Sequence, residues 1–402
     1  MRNIVTNQFL ELFNLIPEKR VYIQNEFETF TYNDVKQLIS HFQEKHSYLE
    51  GKNCALIANS RFDLAKSLPL IASLVNKIFL QPLGLNENVE KEFYIASEIE
   101  YVIKVNNSDV TVTKIYEALH TKNHEQEWLF STSGTTGTPK LISYNLGSLI
   151  KTSKSDVVKG ANFKWGLCYD LNRFAGFQVY LQAIASGSSL TISEPTDELS
   201  DSVKLFIRKT VNCLSATPSY WRKMLMTKDS QLLNLIRITL GGEISDQAIL
   251  NALKKQYEQS HIVHIYASTE AGVGFSVKDC IAGFPLDYVG PSSFTSVELK
   301  IDNDTLWIKS DRAASSMLNG AIEMDNSGFI NTGDIIEIRD GRVLFVGRES
   351  GTINVGGNKV IPEEIESILN SHPDVVHAKV FGKKNPVLGM LVNAEVVSKV
   401  PL

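Results

Sequence analysis

Nothing in the 402-residue sequence approaches a membrane span. A helix needs about 20 apolar residues to cross a bilayer. The longest candidate, residues 67–79 (SLPLIASLVNKIF), is broken by Asn76 and Lys77. The opening stretch, MRNIVTNQFLELFNLIPEKR, carries charges within its apolar run and no small-residue cleavage site, so it does not read as a signal peptide. Cysteine is scarce: Cys54, Cys168, Cys213 and Cys280 lie far apart. No C-x-x-C spacing suggests a metal site or disulfide framework, and reduced thiols in a cytoplasmic protein are the expectation. Excess charge is missing as well. Lys+Arg 40 against Asp+Glu 45 gives −5, which exerts no global pull on nucleic acid or anionic membrane. Any polyanion needs a local site.

What is present is ordinary globular composition, 43% hydrophobic and 21% charged, with no repeats or low-complexity tract. At roughly 150 residues per domain, two or three domains are expected. Helix and strand patterns alternate, which argues α/β. The spacing of Val35, Leu38, Ile39 and Phe42 predicts a helix over 30–44. CALIA (54–58) reads as a buried strand, 64–75 as a helix and 77–80 as a strand, together a βαβ unit. Residues 190–192, 213–216, 236–240 and 262–266 are further short apolar runs. From 287 to 345 strand patterns alternate with turn signals, which predicts a β-rich subdomain. A Gly-rich break at 347–357 precedes a helix over 362–370, opened by Pro362 and acidic residues.

The densest chemical signal is LFSTSGTTGTPK, residues 129–140. Residues 131–138 are all Ser, Thr or Gly. Such a segment suits an anion: glycines let the backbone approach, hydroxyl and N–H groups donate, and Lys140 adds a point charge. The flanking apolar runs argue against a flexible linker. A Walker P-loop fails on spacing, because Pro139 stands where its second Gly belongs and Leu141 follows the Lys. Gly272-x-Gly274 lacks the third glycine of a dinucleotide fingerprint. No G-x-S-x-G nucleophile elbow occurs.

STSGTTGTPK resembles the phosphate-binding signature of the AMP-forming adenylating superfamily, which includes acyl- and aryl-CoA synthetases, peptide-synthetase adenylation domains and luciferases. Further segments resemble that family's motifs in the same order: Gly241-Gly242-Glu243, the run Tyr266-Ala267-Ser268-Thr269-Glu270, Asn331-Thr332-Gly333-Asp334, and Gly347-Arg348 continuing through Gly356-Gly357 and the glutamates of 363–366. The likeness runs from about residue 30 to 389.

The resemblance implies a fold and a chemistry. It implies a large N-terminal lobe of α/β layers over 1–346, with the β-rich subdomain at about 287–346. A hinge at 347–357 and a small α+β C-terminal lobe over 358–402, expected to be partial and shortened relative to the family's, follow. Thr132, Ser133, Gly134, Thr135, Thr136, Gly137 and Lys140 would hold ATP phosphates. Gly241, Gly242, Glu243, Tyr266 and Ala267 would frame the adenine. Thr269 would meet the α-phosphate, and Glu270 would hold Mg²⁺, a hard cation that takes carboxylate oxygen. Asp334 would accept from the ribose hydroxyls, and Arg348 would reach the nucleotide from the hinge. Gly357 and Lys359 would line a pantetheine path. Lys140, Thr269 and Glu270 would be the catalytic set. The implied reaction is attack of a small carboxylic acid on the α-phosphate of ATP, then transfer of the acyl group to coenzyme A or the phosphopantetheine of an acyl carrier protein. Neither nucleic acid nor membrane is an expected partner.

The sequence departs from the family in several places. Leu141 stands where a Gly usually follows the Lys, Ala267 where a Gly follows the Tyr, and Ser350 where the hinge carries Asp or Lys. Arg173 occupies the place of a His near Gly176, so Arg173, Phe174 and Gly176 become candidates for the acyl pocket. An arginine there pairs with an anionic substrate group, faces solvent, or pairs with Asp170. The family's C-terminal lobe also carries a catalytic lysine beyond the region that matches 382–389. No lysine here corresponds to it, which leaves a second reading open: a degenerate member that binds nucleotide or a pantetheine arm without full adenylation.

Overall fold

The computed structural model describes residues 8–107, 109–116, 125–132, 139–291, 295–355, 358–385 and 389–398. They form a mixed α/β protein of two compact units. The first comprises residues 1–215, 232–237 and 312–322; the second comprises 216–231, 238–311 and 323–402.

In the first unit a seven-stranded sheet runs in the order Ser316–Met317, Leu141–Asn145, Glu127–Ser131, Lys77–Leu80, Asn53–Ala58, Tyr101–Asn106, Asp109–Lys114. Its centre is parallel. Parallel strands are covered on both faces, which is why CALIA is continuously apolar rather than alternating. The edges turn antiparallel. Helix Arg61–Ala72 makes the crossover, as the βαβ pattern predicts, but starts three residues earlier than the apolar spacing indicates. Ser60 is the reason: its hydroxyl accepts from Asp63 N and caps the first turn. Helix Tyr32–Lys45 begins with a complete capping box between Thr31 and Asp34.

A second set of strands in this unit, Cys213–Ala216, Lys164–Leu167, Ser189–Ile192 and Val21–Gln24, pairs in parallel, with Thr29–Thr31 antiparallel at the edge. Helix Phe174–Ser186 ends on Gly187 in the left-handed region. The helix closes on an aromatic core in which Phe177 lies 4.9 Å from Trp128 and 5.2 Å from Phe130, centroid to centroid. Fully buried, these rings contribute about 1.5–3 kcal/mol each.

In the second unit, strands Arg237–Gly241, His261–Ser268 and Gly272–Val277 lie side by side, the last two antiparallel. A five-stranded antiparallel sheet follows: Phe284–Pro285, Arg342–Arg348, Ile330–Arg339, Thr305–Lys309, Glu298–Asp302. A small four-stranded sheet ends the chain in the order Asn358–Val360, Ile353–Val355, Gly389–Ser398, Val375–Asn385, accompanied by helix Pro362–Asn370. Among the described residues no helix is long and apolar enough to cross a membrane.

Candidate functional site

The Ser/Thr/Gly segment connects two paired strands of the first unit. Glu127–Ser131 and Leu141–Asn145 run antiparallel with Ser131 opposite Leu141. At the mouth of the connection, Thr132 N donates to the Lys140 carbonyl at 2.9 Å, and Lys140 N donates to Thr132 Oγ1 at 3.0 Å. The Thr132 hydroxyl is thus engaged in closing the loop. Ser133, Gly134, Thr135, Thr136 and Gly137 lie outside the described residues.

Two side chains brace this mouth. Asn319 accepts from Leu141 N at 2.7 Å and donates to the Pro139 carbonyl at 2.9 Å. Sequence reasoning missed Asn319. Its one local signal was the Asn319-Gly320 turn pair, which says nothing about a partner some 180 positions away. Arg173 donates from Nη1 to the carbonyl of Ser131 at 2.7 Å and to its hydroxyl at 3.3 Å. Burial holds the Arg173 pKa below its ordinary value, against the pull of Asp170. The partner weighed for Arg173 is taken: Asp170 Oδ1 accepts from Arg61 Nη2 at 2.7 Å and from Arg61 Nε at 3.0 Å. Arg173 is therefore a brace on the loop's first strand rather than a solvent-facing or Asp170-paired side chain. Phe174 is buried, stacked on Tyr144 at 5.3 Å. Gly176 is pressed on the Asp170 carbonyl, 2.1 Å from where a Cβ would stand.

In the second unit three motifs meet: Asp334 and Arg348 lie opposite each other on paired strands, and Tyr266 comes from 68 positions away. Tyr266 Oη donates to Asp334 Oδ2 at 2.5 Å, and Arg348 Nε donates to Asp334 Oδ1 at 2.7 Å. Asp334 is 7% exposed. Its turn is built locally: Gly333 N donates to Asn331 Oδ1 at 2.9 Å, and Asp334 N donates to Thr332 Oγ1 at 3.1 Å. Gly333 has φ 68°, in the left-handed region that a non-glycine residue adopts only at a cost. The Tyr266 ring lies parallel to Phe345 (5.2 Å, 4°) and near-parallel to Phe275 (5.2 Å, 15°). Its burial, then the Asp334 carboxylate, push the phenol well above its ordinary value, so it remains a donor.

The other expected residues sit as follows. Thr269 and Glu270 occupy the turn between His261–Ser268 and Gly272–Val277; no helix starts there. Ala267 is the penultimate residue of the strand before it, opposite Val273. Gly241 closes its strand, and Gly242 has φ 82°. Glu243 Oε2 accepts from Ser219 N at 2.9 Å, on the first turn of helix Pro218–Met226. Lys359 lies on strand Asn358–Val360, opposite Asn354. Gly357 is outside the described residues.

The donor set fits a nucleotide. A carboxylate offers about four acceptor positions, and Asp334 has committed two, so two remain for paired hydroxyls. Among the described residues no three His, Cys, Asp or Glu side chains converge on a metal position. A single carboxylate such as that of Glu270 suits Mg²⁺, which keeps waters and is held by one or two carboxylates plus substrate phosphates.

Residues 91–311 match the family model for AMP-binding enzymes, and residues 351–399 match the AMP-binding enzyme C-terminal domain. The chain is 27% identical over 328 residues to a 4-chlorobenzoate–CoA ligase of Arthrobacter sp, covering 73% of this chain and 60% of that one. It is 22% identical over 436 residues to the 2-succinylbenzoate–CoA ligase of Bacillus subtilis, covering 98% and 88%. In fold it is similar to o-succinylbenzoate CoA synthetase (MenE) from B. subtilis in complex with the acyl-adenylate intermediate OSB-AMP, with TM-score 0.72, 19% identity and coverage of 98% and 89%. It is likewise similar to ATP-bound MatB from Rhodopseudomonas palustris, with TM-score 0.76, 16% identity and coverage of 98% and 88%. The matched model spans more than half of the sequence, in the region that holds the Ser/Thr/Gly segment and the Tyr266 motif, and the chain belongs to the AMP-binding enzyme family.

Proposed function

We propose that this protein is an AMP-forming acid–thiol ligase. It activates a small carboxylic acid as the acyl-adenylate and passes the acyl group to a thiol. The observation that carries this reading is the meeting of Tyr266 with the Asp334–Arg348 pair: strand pairing sets Asp334 opposite Arg348, and Tyr266 joins them from a motif 68 positions away. The relatives' names, 4-chlorobenzoate–CoA ligase and 2-succinylbenzoate–CoA ligase, favour an aryl acid as substrate and coenzyme A as acceptor. A carrier-protein phosphopantetheine is the other acceptor of the same chemistry.

The roles follow from charge. A carboxylate attacking the α-phosphate brings two anions together, so the site must neutralise and align them. Lys140 and the Ser/Thr/Gly segment would supply cation and donors to the phosphates. Asp334 would hold the ribose through its remaining lone pairs. Thr269 would donate to the α-phosphate. Mg²⁺, held on Glu270 and the phosphates, would offset charge on the transferring group. Gly357 and Lys359 would lie on the thiol's path. The degenerate-binder reading finds no favour among the named relatives, which are ligases.

The test is pyrophosphate release with ATP, Mg²⁺, coenzyme A and a series of substituted benzoates and acyl acids, with the nucleotide product identified. AMP together with the thioester is the expected pair. ADP would overturn the reading. Tight ATP binding with no turnover on any acid would return the degenerate reading to the front. Lys140→Ala and Asp334→Ala should each weaken ATP binding by roughly ten- to a hundredfold, the range for a charge-assisted hydrogen bond.

A further inference from the structure

Building on the nucleotide role given above to Asp334, we propose that Tyr266 is a positioning residue for ribose recognition, its hydroxyl setting the Asp334 carboxylate so that the remaining lone pairs meet the sugar hydroxyls. Three observations carry this. The phenol donates to Asp334 Oδ2 at 2.5 Å, a charge-assisted bond at the short end of the range. Arg348 Nε holds the other oxygen at 2.7 Å. The two donors together fix the plane of the carboxyl, which otherwise turns freely about its last torsion.

The third observation concerns the ring. Phe345 lies parallel to it at 4° and Phe275 near-parallel at 15°, both with centroids 5.2 Å away. Close packing extends to Gly274, where a Cβ would stand 3.1 Å from Tyr266 Cδ1. The ring is thus packed against Phe345, Phe275 and Gly274, and this packing aims its hydroxyl. Burial and the adjoining carboxylate keep the phenol protonated, so the donor persists throughout the working pH range.

Tyr266→Phe tests this, because it keeps the ring and its stacking partners and removes only the donor. Affinities for ATP, 2′-deoxy-ATP and 3′-deoxy-ATP are measured by calorimetry on the wild type, Tyr266→Phe and Asp334→Ala. The wild type should prefer ATP over both deoxy analogues. Tyr266→Phe should lose roughly tenfold in ATP affinity and bind the deoxy analogues nearly as before, so that discrimination shrinks. A loss shared equally by all three nucleotides, or unchanged discrimination, overturns the positioning role. Asp334→Ala separates the two levels. If it abolishes discrimination while Tyr266→Phe does not, the tyrosine inference fails and the ribose reading stands. If Asp334→Ala leaves discrimination intact, the ribose reading itself fails, and the tyrosine's role with it.

Discussion

Arg173 ties itself to Ser131 through a 2.7 Å bond from Nη1 to the carbonyl oxygen, placing a cation on the last residue of the strand that leads into the Ser/Thr/Gly segment. Ser131 is 3% exposed, so water does not readily replace the lost partner. Leaving a buried carbonyl unsatisfied costs about 1–3 kcal/mol. Arg173→Leu should therefore lower the unfolding free energy by about that amount, and Arg173→Lys should recover part of it. Urea denaturation measures both. The profile of accepted acids should change little, since the guanidinium is engaged by the protein; a strong shift from polar to apolar acids would return Arg173 to the acyl pocket.

Asn319 bridges Leu141 N and the Pro139 carbonyl, one on each side of Lys140. Asn319→Ala removes a donor and an acceptor at once while leaving the loop sequence intact. We expect a loss of about 1–2 kcal/mol in stability. On the proposed role of the Ser/Thr/Gly segment, ATP affinity should fall as well, because the end of the segment at Lys140 loses its anchor. Asn319→Asp keeps the acceptor for Leu141 N and loses the donor to Pro139, so it should fall between. Equal ATP affinity in all three proteins would show that the brace serves folding alone.

Much of this arrangement was legible beforehand, and what was missed has a physical pattern. Strands Lys77–Leu80 and Cys213–Ala216 and helix Pro362–Asn370 lie where apolar runs and a first-turn proline predict them. Apolar period and backbone chemistry are local properties, so they show in a linear reading. Helix Arg61–Ala72 starts early because a single hydroxyl, Ser60, sets its first turn. The pairings Asn319–Leu141, Arg173–Ser131 and Tyr266–Asp334 have no local trace at all. Each joins residues 42 to 178 positions apart, and only the completed sheets bring them within reach. The resemblance supplied the identities of Tyr266, Asp334 and Arg348, but not that they bond to one another.

His264 predicts an acid-sensitive second unit. Its Nε2 is buried without a hydrogen-bond partner, and burial depresses its pKa to about 4 against the opposing pull of Asp279. Arg342 adds to the depression. An unfolded histidine titrates near 6.5. Between those values the unfolded chain binds a proton that the folded chain does not. The contribution of this group is therefore complete above about pH 6.5 and is lost as pH falls toward 4. His264→Gln should flatten the decline of the urea midpoint between pH 7 and pH 5 relative to wild type. Parallel declines in the two proteins would exclude His264 as the source.

Glu243 is the clearest case in which one residue has two candidate roles. The resemblance places it beside adenine, and the structure places its Oε2 on Ser219 N at 2.9 Å. Ser219 sits in the first turn of helix Pro218–Met226, where backbone N–H groups lack helical partners and the macrodipole favours negative charge. Thr217 already caps the turn through Tyr220 N, so Glu243 satisfies a second donor. A helix so served should lose about 0.5–2 kcal/mol on Glu243→Ala, the range for loss of an N-terminal cap. Glu243→Gln retains an acceptor oxygen and loses the charge, so it should lose only the dipole part, about 0.3–1 kcal/mol. Because the carboxylate is engaged on the helix, ATP affinity should fall far less in Glu243→Ala than in Asp334→Ala. Calorimetric titration of ATP into the two variants, with urea denaturation of each, separates the outcomes. A stability loss with near-normal ATP affinity marks Glu243 as the helix's partner, whereas an ATP loss matching that of Asp334→Ala would show that the adenine side depends on the carboxylate itself.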